Sequence, residues 1–184
     1  HDALPICMRG ENPFYRKKWV FSPHKVSQLS KAEKGNCMKP LKLKLNNIGP
    51  FCGEHNLDFT ELGEMYLICG KMGSGKTTIF DAITYALYGK LPGSRNLIGA
   101  KALFSDFASP EDLCQVDFTF EVKKKKYRIL RNPPKNQEKK TSQEGKVVLY
   151  EVRKDGENLL TNQKSEVDKY INQLIGLTDD EFSR

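Results

Sequence analysis

The first half of the chain opens with apolar residues at the period of a strand. Leucines alternate with lysines over Leu41–Leu45, a spacing that predicts a half-buried strand. The glycines and proline of Ile48–Gly53 predict a turn, and Leu57–Phe59 predicts a short return strand. The unbroken apolar run Met65–Cys69 is typical of a central strand that is covered on both faces.

The hydrophobic period then changes to that of a helix. Positions i, i+3, i+4, i+7 and i+8 are apolar and share one helical face: Ile79, Ala82, Ile83, Ala86 and Leu87. Gly89 and the later Pro92 are typical helix stops. The pattern therefore predicts a strand, a glycine-rich loop and an amphipathic helix in direct succession.

The second half of the chain is mostly β by the same criteria. Gln115–Val122 and Lys126–Leu130 predict two alternating strands joined by a lysine turn, and Val147–Val152 predicts a third. Asp155-Gly156 is a turn signal. A second amphipathic helix is predicted up to Gly176, with apolar residues at Val167, Tyr170, Ile171, Leu174 and Ile175.

Composition narrows the class of protein. The chain has 184 residues, of which 38% are hydrophobic and 29% charged, which fits one globular domain. No apolar run approaches the roughly 18 residues that a membrane-spanning helix needs. The cysteines are scattered without a C-x-x-C pair, which argues against a zinc site built from local motifs.

The first 37 residues differ from the rest. Residues 1–37 are rich in Lys, Ser, Asn and Pro and show no sustained period, and Met38 directly precedes the first ordered pattern. A basic nucleic-acid-binding arm is one interpretation. We favour the other, in which residues 1–37 are disordered or are non-native upstream read-through, and the domain covers residues 38–184.

The glycine-rich segment carries the chemistry. Gly70-x-x-x-x-Gly75-Lys76-Thr77 is a phosphate-loop pattern, with an apolar run before it and an amphipathic helix after it. Glycines allow the backbone N–H groups to approach phosphate oxygens, the lysine supplies a charge to the outer phosphates, and the Thr77 hydroxyl is placed to bind Mg²⁺. The predicted nucleotide-binding residues are Gly70, Lys71, Met72, Gly73, Ser74, Gly75, Lys76, Thr77 and Thr78.

Hydrolysis needs a second acidic site, normally at the end of a neighbouring strand. Asp117 lies within an alternating strand, so we expect it to face the surface. Asp179-Asp180-Glu181 follows Gly176-Leu177-Thr178 and is typical of a helix cap and first turn. The sequence therefore predicts no catalytic residue in this chain and negligible ATP hydrolysis by the chain alone.

The net charge of +7 is concentrated in one block. Residues 123–154 carry twelve basic and three acidic side chains. Such a block is either a solvated hairpin and loop or a surface for a polyanion. The predicted DNA-contacting residues, all expected to be exposed, are Lys123, Lys124, Lys125, Lys126, Arg128, Arg131, Lys135, Lys139 and Lys140.

Five stretches resemble a known family. The most specific is Leu67–Gly89, followed by Met38–Phe51, and the looser ones are Ser105–Pro110, Tyr127–Arg131 and Leu174–Phe182. They are similar to the SbcC family, the ATPase subunits of bacterial SbcCD nucleases, which belong to the SMC-like ABC ATPases. The family has an arginine where this chain has Phe104, which removes one expected polar contact. Asp81 fits the family's helix pattern, although a surface helix residue explains it equally well.

The resemblance implies an α/β fold: the N-terminal lobe of a P-loop ATPase head of ABC/SMC-like type, with an antiparallel β-rich lobe at about 113–160. The domain would be incomplete, because a long coiled coil separates the two halves of such heads. ATP and Mg²⁺ would bind at Gly70–Thr78, with the Gly49–Gly53 turn near the base or ribose.

The resemblance also implies a function in DNA double-strand-break repair. ATP would join two heads as a homodimer, and that closure would gate an SbcD-like metallo-nuclease on DNA, without sequence preference, in the cytoplasm at the nucleoid. Two alternatives remain open: an SMC-type or other ABC repair ATPase without a nuclease partner, and a P-loop small-molecule kinase. The long β segment after residue 113 argues against the kinase.

Overall fold

A six-stranded antiparallel sheet forms the frame of the structure, a computed structural model that describes residues 38–61, 68–97, 99–109, 111–134, 145–177 and 179–182. The spatial order of the strands is β2-β1-β3-β4-β5-β6. Their bounds are β1 Lys39–Ile48, β2 Phe51–Asp58, β3 Gln115–Val122, β4 Lys125–Arg131, β5 Val147–Arg153 and β6 Gly156–Thr161.

The described helices cover one face of this sheet. They are α1 Lys76–Tyr88, α2 Lys164–Ile175 and the short α3 Asp179–Phe182, with 3₁₀ turns at Gly93–Leu97 and Ala100–Leu103. Both longer helices end at a glycine in the left-handed conformation, Gly89 after α1 and Gly176 after α2, as predicted.

The core lies between the sheet and α1. Inward residues of neighbouring strands face each other in register, with Leu43 opposite Phe118 and Ile129 opposite Phe118 and Leu149. All four predicted helix-face residues after Ile79 are buried, and so is every residue of α1 from Asp81 to Tyr88. A helix buried all round is typical of a central position in the domain.

A bulge in β1 directs the β1–β2 turn. The register shifts between Asn46 and Ile48, and Asn47 has a φ of 53°. The Asn47 side chain fixes the bulge because its Oδ1 accepts a hydrogen bond from the Gly53 N–H at 2.7 Å and its Nδ2 donates to the Leu113 carbonyl at 2.8 Å. The turn therefore occupies only Gly49-Pro50, and β2 starts at Phe51, earlier than predicted.

The predicted segments were confirmed unevenly. The bounds of β3 agree with the prediction, whereas β6 was not predicted as a strand. The predicted strand Met65–Cys69 falls mainly on residues 62–67, which lie outside the described residues, as do residues 1–37. In the described part of the chain, no helix is long and apolar enough to cross a membrane.

Candidate nucleotide-binding site

The glycine-rich loop leads directly into α1, which starts at Lys76. Gly73 and Gly75 have φ angles of 78° and 87°, in the left-handed region where a Cβ is strained. Consecutive backbone N–H groups at such a loop and at a helix N-terminus form a concave surface that attracts anions. The local geometry is therefore that of a phosphate-binding loop.

The Lys76 ammonium lies over this loop. Its Nζ donates hydrogen bonds to the Gly70 carbonyl at 2.7 Å and to the Lys71 carbonyl at 2.6 Å. The Ser74 N–H donates to the same Lys71 carbonyl at 3.2 Å. These bonds close the loop around the ammonium and hold the positive charge beside the helix N-terminus.

The β1–β2 turn packs against the end of the loop. A Cβ built on Gly75 would come within 2.7 Å of the Phe51 ring and 2.9 Å of Pro50 Cγ, and a Cβ on Gly49 would come within 2.8 Å of Thr78 Cγ2. The distant Gly49-Pro50-Phe51 stretch thus fixes the position of the loop. The structure brings this turn, the loop and the first turn of α1 together. That the Gly49–Gly53 turn lies near the base or ribose stays a prediction.

The polar side chains of the loop fit a nucleotide and its metal. The Ser74 hydroxyl oxygen is buried and has no hydrogen-bond partner among the described residues, which is unusual for a buried polar atom. Thr77 is exposed and offers the hard oxygen ligand that Mg²⁺ prefers. A phosphate group would satisfy Ser74 and the loop N–H groups.

Asp81 is buried on α1, one turn beyond Thr77, and is not a surface residue. Only 12% of its side chain is exposed, and its Oδ1 lies 2.9 Å from Nη2 of Arg95 in the turn after the helix. Burial raises the pKa of the Asp81 carboxyl, and the nearby Arg95 charge opposes that shift. The pair fastens the 93–97 turn to α1.

The expected exposure of the basic block is only partly correct. Lys123, Lys124, Lys125 and Lys126 are exposed at the β3–β4 hairpin. The expectation is wrong for Arg131, whose side chain is 3% exposed because it pairs with Asp168 beneath the sheet. Lys135, Lys139 and Lys140 lie outside the described residues.

Arg128 forms ion pairs with two carboxylates, Asp117 and Glu157, on the outer face of the sheet. Its guanidinium donates to both Asp117 oxygens, at 2.9 and 2.7 Å, and to both Glu157 oxygens, at 2.8 and 3.0 Å. These partners raise the pKa of Arg128. Asp117 thus lies on the outer face of the sheet, as strand alternation predicts, but Arg128 covers it, so that it is buried and not exposed as expected. Because Arg128 is paired with two carboxylates, it presents no uncompensated charge to a polyanion.

Phe104 takes a packing role at the position where a polar side chain was expected. It forms an isolated backbone bridge with Ile48 and packs against the core.

The Asp81–Arg95 pair, in contrast, was missed by sequence reasoning. Its one sequence signal was an acidic residue next to the apolar face of α1.

Comparisons with known proteins cover most of the described domain. A family model described as an AAA domain matches residues 42–184. The C subunit of the SbcCD nuclease from Treponema pallidum is 42% identical over 149 residues, which are 80% of this chain and 14% of that protein. Its namesake from Vibrio cholerae is 39% identical over 152 residues, which are 79% of this chain and 15% of that protein.

These matches confirm the SbcC resemblance, and the chain spans only about one-seventh of the length of the curated relatives it matches. A solved structure described as "Structural biochemistry of ATP-driven dimerization and DNA stimulated activation of SMC ATPases" aligns with a TM-score of 0.40 and 20% identity. The alignment covers 76% of this chain and 81% of that one.

Proposed function

This chain belongs to the AAA domain family, and from that premise we propose that residues 70–78 bind ATP together with Mg²⁺. The observation that carries the proposal is the junction between the loop and α1. There, left-handed Gly73 and Gly75 turn the backbone into a helix N-terminus beneath the Lys76 ammonium. Few other ligands match a concave, cationic, donor-rich surface as well as a chain of phosphates does.

Each residue of the site has a distinct task. The backbone N–H groups of the loop and of the helix N-terminus would hold phosphate oxygens, and the Ser74 hydroxyl would gain a partner. Lys76 would exchange its two carbonyl acceptors for the outer phosphates. Thr77 would hold the metal ion, which when bound neutralises phosphate charge.

The names of the relatives support a role in a larger assembly. We infer that the chain is the ATP-binding segment of an SbcC-like DNA-repair ATPase that gates an SbcD-like metallo-nuclease at DNA ends, in the cytoplasm. ATP would join two such segments as a homodimer. Hydrolysis would belong to the complete protein, because the acidic candidate Asp117 is paired with Arg128 on the sheet.

DNA contacts are proposed for the exposed part of the basic block. Lys123, Lys124 and Lys126 at the β3–β4 hairpin would contact phosphates without regard to sequence, and Lys125, which lies 3.6 Å from Glu151, would contribute less. Lys135, Lys139 and Lys140 stay a prediction. Arg128 and Arg131 are not included, because both are paired with carboxylates.

The test is ATP binding to the 184-residue chain, measured by calorimetry with Mg²⁺ present. Lys76→Ala should lower the affinity by at least about tenfold, since hydrogen bonds to charged groups contribute roughly 1.5–3 kcal/mol. The matched control is Lys164→Ala, because Lys164 is also the first residue of a helix but follows an extended Gln163 instead of a glycine loop. Equal affinities of the Lys76→Ala variant and the unmodified chain would overturn the proposal.

Phosphate release from the same samples tests the assignment of hydrolysis. We expect no turnover above background. Turnover that disappears in Lys76→Ala would show that this chain contains its own catalytic residues.

A further inference from the structure

Arg131 joins three elements at the end of α1 that is opposite the phosphate loop. Its Nε donates to the Ala86 carbonyl at 3.0 Å, and its Nη2 donates to the Leu87 carbonyl at 3.4 Å and to Asp168 Oδ1 at 3.0 Å. Arg131 belongs to β4 and Asp168 to α2. One guanidinium thus connects the last turn of α1 with the sheet and with α2.

The packing around this guanidinium is tight. A Cβ built on Gly89, the residue that ends α1, would come within 2.5 Å of Arg131 Nη1. The cation also lies at the negative end of the α1 macrodipole, where a positive charge is favoured. The side chain therefore has no room to shift independently of α1.

The charge of Arg131 makes the connection hard to break. Its side chain is 3% exposed, whereas that of Asp168 is 34% exposed. A buried cation that loses its carboxylate is strongly destabilised, because water does not replace the lost partner. A displacement of α1 must therefore carry Arg131 and Asp168 along.

Two contacts of Tyr88 connect the same end of α1 with the segment that follows α2. The Tyr88 hydroxyl donates to the Leu177 carbonyl at 3.2 Å, and the Tyr88 ring lies 5.5 Å from the Phe182 ring. The opposite end of α1 carries the loop that would receive the nucleotide. Over its 13 residues the helix spans about 20 Å, as a rigid rod of known rise per residue.

We propose that Arg131 is a positioning residue that couples the nucleotide site to α2. Binding of a phosphate chain at the N-terminus of α1 changes the position or rigidity of that helix. The Arg131–Asp168 pair then transmits the change to α2. This inference rests on the proposed function, because it needs a nucleotide at residues 70–78.

Hydrogen exchange on the 184-residue chain, with and without a non-hydrolysable ATP analogue and Mg²⁺, tests the coupling. In the unmodified chain the analogue should slow amide exchange within 164–175 by about fivefold or more, the lower end of typical coupling between two sites. Arg131→Met should abolish this effect on α2 while slowing at the start of α1 persists. The matched control is Lys169→Met, which removes an exposed cation from α2 itself and should preserve the effect.

Asp168→Asn provides a second variant in case Arg131→Met does not fold. It removes the charge and keeps an oxygen acceptor, so it should weaken the response of α2 and leave ATP affinity unchanged. If the unmodified chain does not bind the analogue, the proposed function fails and this inference fails with it. Binding without a response in α2, or a response that survives in both variants, would overturn this inference alone.

Discussion

Phe51 and Gly75, 24 positions apart in the chain, are in direct contact: a Cβ on Gly75 would come within 2.7 Å of the Phe51 ring atoms Cε2 and Cζ. Gly75 also has a φ of 87°. Two independent constraints therefore act on one residue, the backbone conformation and the space available.

These constraints predict different costs for two glycines of the loop. Gly73→Ala should cost roughly 1–2 kcal/mol from its left-handed backbone alone, since a Cβ there meets nothing within 4 Å. Gly75→Ala should cost about 1–3 kcal/mol more, because the new methyl group must displace Phe51. The measurement is the free energy of unfolding in urea. Equal costs for the two variants would contradict the contact, and Phe51→Leu should recover part of the loss in Gly75→Ala only.

The Asp81–Arg95 pair predicts a pH-dependent stability. Because burial raises the pKa of Asp81 in the folded state, the folded chain binds more protons than the unfolded chain just above the usual carboxyl pKa. The contribution of Asp81 to stability therefore falls as the pH rises through that window. Arg95→Met should cost little below the usual carboxyl pKa, where a carboxyl with a raised pKa is protonated, and more at neutral pH, on the order of 1 kcal/mol.

The control for this prediction is the same substitution in an Asp81→Asn background. Without a titrating carboxyl at position 81, the cost of Arg95→Met should not vary with pH. Urea unfolding at several pH values measures both series. A cost that varies with pH equally in the two backgrounds would show that Asp81 is not the partner that matters.

How much of this site the sequence predicts depends on whether the partners are near in the chain. The loop, the start of α1 and its end at Gly89 follow from local glycine positions and helical spacing. The contact of Phe51 with Gly75 does not, because it requires the bulge at Asn47 and its hydrogen bonds to Gly53 and Leu113. Long-range packing of this kind leaves no local sequence signal.

The basic block shows the same limit. Charge alone predicted that Arg131 is exposed, yet strand alternation places it on the same face as the buried Tyr127 and Ile129. That alternation was the available signal. The burial of Asp117 had no such signal, because it depends on Arg128 and Glu157 from two other strands. β6 was missed because Gly156–Thr161 is a largely exposed edge strand without alternation.

Because Tyr85 is buried, we expect the chain to lose stability at alkaline pH. Burial raises its pKa to about 12, and its hydroxyl donates to the Asn132 carbonyl at 3.2 Å. Between the usual tyrosine pKa of about 10 and this value, the unfolded chain loses its proton first, so stability falls with rising pH, by a few kcal/mol at most (~1.4 kcal/mol for each pH unit). Tyr85→Phe should cost roughly 0.5–1.5 kcal/mol at neutral pH and make the alkaline decline shallower. An unchanged decline, measured by urea unfolding from neutral pH into this range, would contradict the assignment.

Substitution of the two lysines in the β3–β4 turn should raise the stability of the chain and weaken its DNA binding. Lys123 and Lys124 form its two-residue turn with φ angles of 51° and 64°. Positive φ at both positions defines a type I′ turn, for which Asn-Gly is preferred and lysine is strained. The double substitution Lys123→Asn and Lys124→Gly should therefore stabilise the chain, by on the order of 1 kcal/mol.

The same double variant should bind DNA more weakly if the two lysines contact phosphates. The slope of log affinity against log salt should flatten by about 1.8, because each of the two lysines no longer neutralises a phosphate on duplex DNA and each such phosphate contributes about 0.9. The change should be equal for DNA of unrelated sequences. Lys154→Asn in the β5–β6 turn is the matched control, because it removes an exposed hairpin lysine where φ is not positive. It should change the slope less than the double variant does. A requirement for their charge in DNA binding would explain why strained lysines occupy this exposed turn. A variant that is more stable and keeps the full salt slope would show that the charge has no part in DNA binding.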